Sequence, residues 1–115
     1  MEQSSSNGRA GLKSWEIWTL EGHSCVLISN QRRIEQKQKV VLLKCQTLYA
    51  GDLPANEFET VLDEEDGLQR PTVCTCDLMF TARKTEISQK RGVVSLERRR
   101  DISRKMIQGL AVAGM

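Results

Sequence analysis

The stretch Trp15-Glu-Ile-Trp18, followed after Glu21-Gly22 by His23-Ser-Cys-Val-Leu-Ile-Ser-Asn30, decides how this chain is read. From Lys13 to Leu20, Trp15 and Ile17 alternate with Ser14, Glu16 and Trp18, the period of a half-buried strand. Cys25 to Ile28 is a short continuous apolar run ended by Ser29-Asn30, the pattern of a strand buried on both faces. Two strands joined by a loop of Glu21 to Ser24 are expected, and the chain is read outward from them as mainly β.

Downstream, Gln31 to Lys39 is polar and reads as an exposed connection with room for a helical turn. Val40-Val-Leu-Leu43 is a third strand. Gly51-Asp52 and Pro54 mark Tyr49 to Asn56 as a loop. Phe58 to Leu62 resumes alternation, Asp63-Glu-Glu-Asp-Gly67 forms an acidic turn, and Thr72 to Phe80 alternates β-branched residues with cysteines. Glu86 to Lys90 reads as a short strand stopped by a turn at Arg91-Gly92.

Ser95 is an N-cap for a helix running to about Leu110, with Ile102, Met106, Leu110 and Ala113 on one stripe. Arg98-Arg-Arg100 on that helix reads as a solvated face, with nucleic-acid contact as the alternative. Met1 to Gly11 has the composition of a disordered lead-in, which leaves residues 12–115 as one domain. Many short strands closed by one amphipathic helix predict a small antiparallel barrel or curled sheet with a C-terminal helix.

Composition narrows the function. The net charge of +2 from 17 basic and 15 acidic residues is far from that of a protein that coats duplex DNA. Acidic residues gather in Glu57 to Asp66, and basic ones in Arg32 to Lys44 and Arg83 to Lys105, which permits a locally positive face. Phe, Trp and Tyr total five residues, so platforms for base stacking are sparse. No segment approaches the ~20 apolar residues that span a bilayer. Cys25, Cys45, Cys74 and Cys76 lie in apolar or strand-like surroundings, and Cys74-Thr-Cys76 lacks the spacer of a zinc knuckle. Buried thiols in a cytoplasmic protein, with no metal or cofactor, are the expectation.

Four landmarks in order, the W-E-I-W strand, V-L-I-S-N, V-V-L-L with its Gly/Pro loop, and C-D-L-M-F before a basic turn and helix, resemble MazF/PemK-type toxins from about Lys13 to Ala113. The resemblance implies an SH3-like barrel, which CcdB-like plasmid-maintenance toxins share, together with a homodimer in the bacterial cytoplasm. It further implies metal-independent, sequence-selective cleavage of single-stranded mRNA, held in check by a cognate antitoxin peptide. The chain departs from the family pattern in places. His23-Ser24 stands where the family has Arg-Pro, the loop before it is short, and Cys45 stands where Thr or Ser is common. Asp77 matches an acidic position, with Thr75 in place of the neighbouring basic residue.

Metal-free RNA cleavage needs a base for the 2′-hydroxyl, an acid for the leaving 5′-oxygen, and cations or amides for the charge on phosphorus. His23 is the first candidate for proton transfer, since imidazole ordinarily titrates at about 6.5. In the Arg position it keeps a donor to phosphate only when protonated. Asp77 and Thr47 complete the catalytic set, with Lys44, Cys45, Arg32, Arg33 and Arg83 proposed for the substrate. The plainer readings are a packing thiol for Cys45 and a solvated strand end for Asp77. The alternatives to cleavage are a degenerate binding member of the family, a CcdB-like toxin acting on gyrase, and an unrelated small barrel serving as an interaction module.

Overall fold

The computed structural model describes residues 11–49 and 56–110. The lead-in expected over 1–11, Gly11 excepted, lies outside them, as do Gly51-Asp52, Pro54 and Ala113.

Strands β1 (Glu16–Leu20) and β2 (His23–Leu27) form the expected hairpin, with Ile17 opposite Val26 and Leu20 opposite His23. The connection is tighter than the sequence reading has it. Only Glu21 and Gly22 turn the chain, both at positive φ (51° and 82°), so His23 and Ser24 belong to β2 and not to a loop. Two successive left-handed residues match the twist of the flanking strands, which is why a two-residue connection suffices. β1 starts three residues later than expected because Trp15 has φ 71°, a break in extended backbone.

Helix α1 (Gln31–Gln36) is a short turn whose first amides are capped by Asn30, which accepts from Arg33 N at 2.8 Å, and whose buried residue is Ile34. β3 (Lys39–Thr47) and β5 (Thr72–Arg83) both run past their expected ends, because they pair with each other from Lys39 opposite Arg83 to Thr47 opposite Thr72. The pairing breaks once: Leu43 faces Met79 and Cys45 faces Cys74, so Thr75 to Leu78 stand against Lys44 alone. Asp77 and Leu78 are exposed at that bulge. β4 (Glu59–Leu62) pairs with the start of β5.

β6 (Ile87–Val93) pairs with β1 and corrects a second expectation, since Arg91-Gly92 lies inside the strand and not at a turn. Gly92 is there for space. A Cβ on it would stand 2.0 Å from the Asp66 carbonyl oxygen, so only glycine lets β6 approach the acidic turn so closely. Helix α2 (Leu96–Gly109) follows its Ser95 N-cap as expected.

The six strands make one antiparallel sheet in the order β4-β5-β3-β2-β1-β6. The sheet curls. Leu62 of edge strand β4 and Val94, just beyond the other edge strand, share one buried cluster with Ile17, Val26, Leu43, Cys45, Cys74, Cys76 and Ile102 of α2. A second cluster on the outer face joins Cys25, Leu27, Val40, Leu42 and Ile87 to Leu12 and to Ile34 of α1. Each fully buried Leu, Ile or Val favours the folded chain by about 1.5–3 kcal/mol over its exposed state, so both faces of the central strands are held. This is the mainly-β curled barrel with a C-terminal helix that the sequence pattern predicts.

A polar node closes the curl. Asp66, 1 % exposed, accepts at Oδ1 from Ser95 N (2.9 Å) and at Oδ2 from Asp63 N (3.0 Å) and from Arg98 Nη1. Arg98 also reaches Asp63 Oδ1 at 2.7 Å, and its hydrogen bond holds the Asp63 carboxyl below the usual carboxylate range. Arg98 is therefore a half-buried strut between the acidic turn and α2 and not a freely solvated side chain. Arg99 donates to Val94 O (2.8 Å), and Arg100 is the exposed member of the run.

Candidate nucleic-acid interface

A cleft of about 530 Å³ opens at one end of the curled sheet, where β2 begins, β3 ends and β5 begins. Ser24, Thr47 and Thr72 bring hydroxyls to it from those strands. The segment Gly67 to Arg70 forms one wall and Gln89 to Arg91 of β6 the other, with Tyr49 at the mouth.

Each wall has a local cause. Gly67, at φ 88°, ends the single turn Glu64–Asp66 in the left-handed conformation, and Leu68, 7 % exposed, anchors the segment in the core. Gln69 and Arg70 are left exposed on the cleft. On the other wall, Gly92 faces Ile17 while Lys90 faces Trp18, so Arg91 is an extra residue in β6. A bulge re-aims side chains that strict alternation would send to opposite faces. Arg91 thereby reaches the inner face and donates from Nε to Thr19 Oγ1 at 2.7 Å.

The charge of the cleft is positive. Among the described residues its lining holds Arg70, Lys90 and Arg91 and no carboxylate. Lys90 is neutralised from behind by Glu16 Oε2 at 2.9 Å. Burial alone would raise the Glu16 carboxyl, but hydrogen bonds from Lys90, the Trp18 indole and the Lys13 amide outweigh it and keep the group below its usual range. Arg70 and Arg91 have no carboxylate partner among the described residues. Two unneutralised guanidinium groups beside three hydroxyls and two side-chain amides suit an anion with hydrogen-bonding groups around it, which describes a phosphodiester with its sugar and base.

The residues singled out from the sequence are dispersed. Thr47 lines the cleft. His23, the first residue of β2, is exposed one position from Ser24, and alternation directs it to the opposite face of the sheet. Asp77 sits at the β5 bulge against the end of α2, where a Cβ on Gly109 would come within 2.7 Å of its Cβ. Lys44 is exposed opposite Cys25, on the outer face. Cys45 is 1 % exposed and packs in the core cluster with Leu43, Cys74 and Cys76. Arg32 and Arg33 lie exposed on α1. Arg83 pairs with Lys39 at the far end of β3, ~26 Å from Thr47 at about 3.3 Å per residue.

All four cysteines are buried free thiols. Burial pushes the Cys25 thiol up to about 11, and a hydrogen bond with Cys45, with burial added, raises Cys74. None is poised as a nucleophile. Among the described residues no helix is long and apolar enough to cross a membrane.

The architecture that frames this cleft is found in solved toxins. The structure is similar to a mycobacterial endoribonuclease in complex with its cognate antitoxin, at 15% identity over 91% of this chain and 100% of that one, with a TM-score of 0.77. This chain has the MazF fold. The Mycobacterium tuberculosis toxin MazF-mt6 matches at 14% identity over 82% of this chain and 94% of its own, with a TM-score of 0.70. The MazE-MazF structure from Deinococcus radiodurans matches at 10% identity over 84% of this chain and 93% of that one, with a TM-score of 0.66. No protein-family model matches the sequence, and no curated protein matches it. On this MazF fold the sequence reading missed Ser24, Arg70 and Arg91. Arg70-Pro71, directly before a β-branched run, was the one local signal of a cation held at a strand entry.

Proposed function

We propose that this chain is the toxin of a toxin-antitoxin pair and cuts single-stranded RNA without a metal. The observation that carries the reading is the cleft itself: Arg70 and Arg91 without carboxylate partners among the described residues, beside the hydroxyls of Ser24, Thr47 and Thr72, on the fold of solved endoribonuclease toxins. The arginines stabilise the charge that builds on phosphorus, and fixed donors of this kind are usually the largest single contribution to such a reaction. Thr47 orients the phosphate. His23, the one imidazole of the chain, stands at the start of β2 with its side chain on the opposite face from Ser24, so a part in proton transfer requires it to turn around the strand end toward the cleft. Asp77, at the end of α2, is assigned no part in it.

An antitoxin segment rich in acidic and apolar residues would compete with RNA for the same positive field. A homodimer in the bacterial cytoplasm completes the reading, with the exposed Leu96 and Ile107 on the outward side of α2 as apolar surface for a second copy. The test is incubation of the purified protein with a defined single-stranded RNA in chelator, with end-group analysis of the products. Fragments ending in a 2′,3′-cyclic phosphate are expected, and intact RNA across a pH series would overturn the proposal. Cleavage that is unchanged in His23→Ala would remove the imidazole from the chemistry and leave the cleft.

One observation favours a second reading, a protein that binds RNA or an antitoxin without cutting. No imidazole or carboxylate lines the cleft among the described residues. The same incubation separates the two, because a binding protein retards the RNA and leaves it whole.

A further inference from the structure

The aromatic residues of this chain are few, and their burial is uneven. Trp15, Trp18, Phe58 and Phe80 are all half-buried, and Trp18 is also tied to Glu16 through its indole. Tyr49 alone among them is exposed, at 61 %, and it stands at the mouth of the positive cleft. A chain with five aromatic residues that leaves one in solvent leaves it where two arginines and two glutamines converge.

That combination has a specific use. Single-stranded RNA is read by stacking an unpaired base on an aromatic ring and hydrogen-bonding its edge, while cations hold the neighbouring phosphate. A glutamine amide offers a donor and an acceptor side by side, the pattern a base edge presents. Gln69 precedes Arg70 on one wall, and Gln89 lies on the other.

We propose that Tyr49 stacks one base of a single-stranded RNA whose adjacent phosphate is held by Arg70, with Gln69 and Gln89 reading the edge of that base. This makes Tyr49 a specificity-determining residue. The inference rests on the cleft being the RNA site and goes beyond it by naming the nucleotide feature that is recognised.

The experiment is a fluorescence anisotropy titration with a labelled 2′-O-methyl oligoribonucleotide, which cannot be cut, and with versions made abasic at each position in turn. For the wild type, loss of one particular base is expected to weaken binding about tenfold, within the range that base stacking supplies. In Tyr49→Ala the intact and abasic strands should bind alike, and Tyr49→Phe should restore the difference. The inference is overturned if Tyr49→Ala still discriminates the abasic position, or if the wild type never does. Cleavage of unmodified RNA is scored in parallel. A wild type that binds and discriminates but does not cut sinks the nuclease reading and leaves the stacking intact, whereas a wild type that binds no RNA sinks both.

Discussion

Arg98 and Arg70 stand on either side of the same short segment, Asp63 to Arg70, and their guanidinium groups meet opposite environments. Arg98 is wedged between Asp63 and the buried Asp66, which also caps the chain at Ser95. Arg70 ends the segment in solvent, facing a cleft that no carboxylate lines among the described residues. One arginine is spent on joining the acidic turn to helix α2, and the other has no side-chain partner among the described residues. The contrast separates structural charge from functional charge by a physical criterion. A cation whose donors are all satisfied by its own chain has little left for a ligand, and one held on a rigid wall without a partner has nearly everything left.

The largest effect expected from this contrast is on stability. Arg98→Ala leaves the buried Asp66 carboxylate uncompensated, and breaking such a pair from one side costs about 3 kcal/mol. Urea unfolding should show a lower midpoint with an unchanged slope. Arg70→Ala, an exposed truncation, should stay within about 0.5 kcal/mol of wild type. Equal losses in the two variants would erase the distinction.

Next in size is binding. Arg70→Ala is expected to weaken single-stranded RNA binding about tenfold, the scale of one charge-assisted hydrogen bond, and to reduce the salt dependence by about 0.7 in log-log slope for one lost phosphate contact. Anisotropy titrations at several salt concentrations measure both. An unchanged slope would mean that Arg70 does not face phosphate.

The pH dependence sharpens the comparison further. Asp63 has its folded pKa held down chiefly by the Arg98 hydrogen bond, so its contribution is fully present above the unfolded carboxylate value of about 3.9. That contribution is lost as the pH falls through the lower folded value. Thermal melting from pH 7 to pH 3 should therefore show a loss concentrated below about pH 4, and Arg98→Ala should flatten that part of the curve while Arg70→Ala leaves it as it is. The smallest effect is chemical. With all four thiols buried and Cys25 pushed up to about 11, a thiol reagent should label the native protein slowly and the urea-unfolded protein fast. Rapid labelling of the native chain would show that the buried clusters on the faces of the sheet open readily.

How much of this was legible in the sequence follows from which interactions are local. The β1 and β2 hairpin, the Val40-Val-Leu-Leu43 strand, the acidic turn and the Ser95-capped helix all announce themselves within a few residues, because alternation and capping are short-range properties. The ends of β3 and β5 were not legible, since each strand is prolonged by the other across more than twenty intervening residues. The site suffered more. Arg70 and Arg91 look like turn residues when read along the chain, next to Pro71 and Gly92. Only the bulge in β6 and the left-handed Gly67 aim them into one cleft. Periodicity carries no information about a bulge, because its position is decided by the partner strand. Conversely, Arg83 and Arg32 looked well placed by proximity to β3, and the length of that strand carries them to its other end.

The extra residue at Arg91, one of two irregularities in the pairing of β6 with β1, has a genetic corollary. A side chain's facing along a strand depends on counting by twos, so the polarity of this surface is encoded partly in how many residues β6 contains. Removing a single codon there would leave the strand and its hydrogen-bond ladder nearly intact. The position before Gly92 would then turn outward, and the groove would keep Arg70 but lose the arginine of its β6 wall by a deletion that touches neither the core nor the helix.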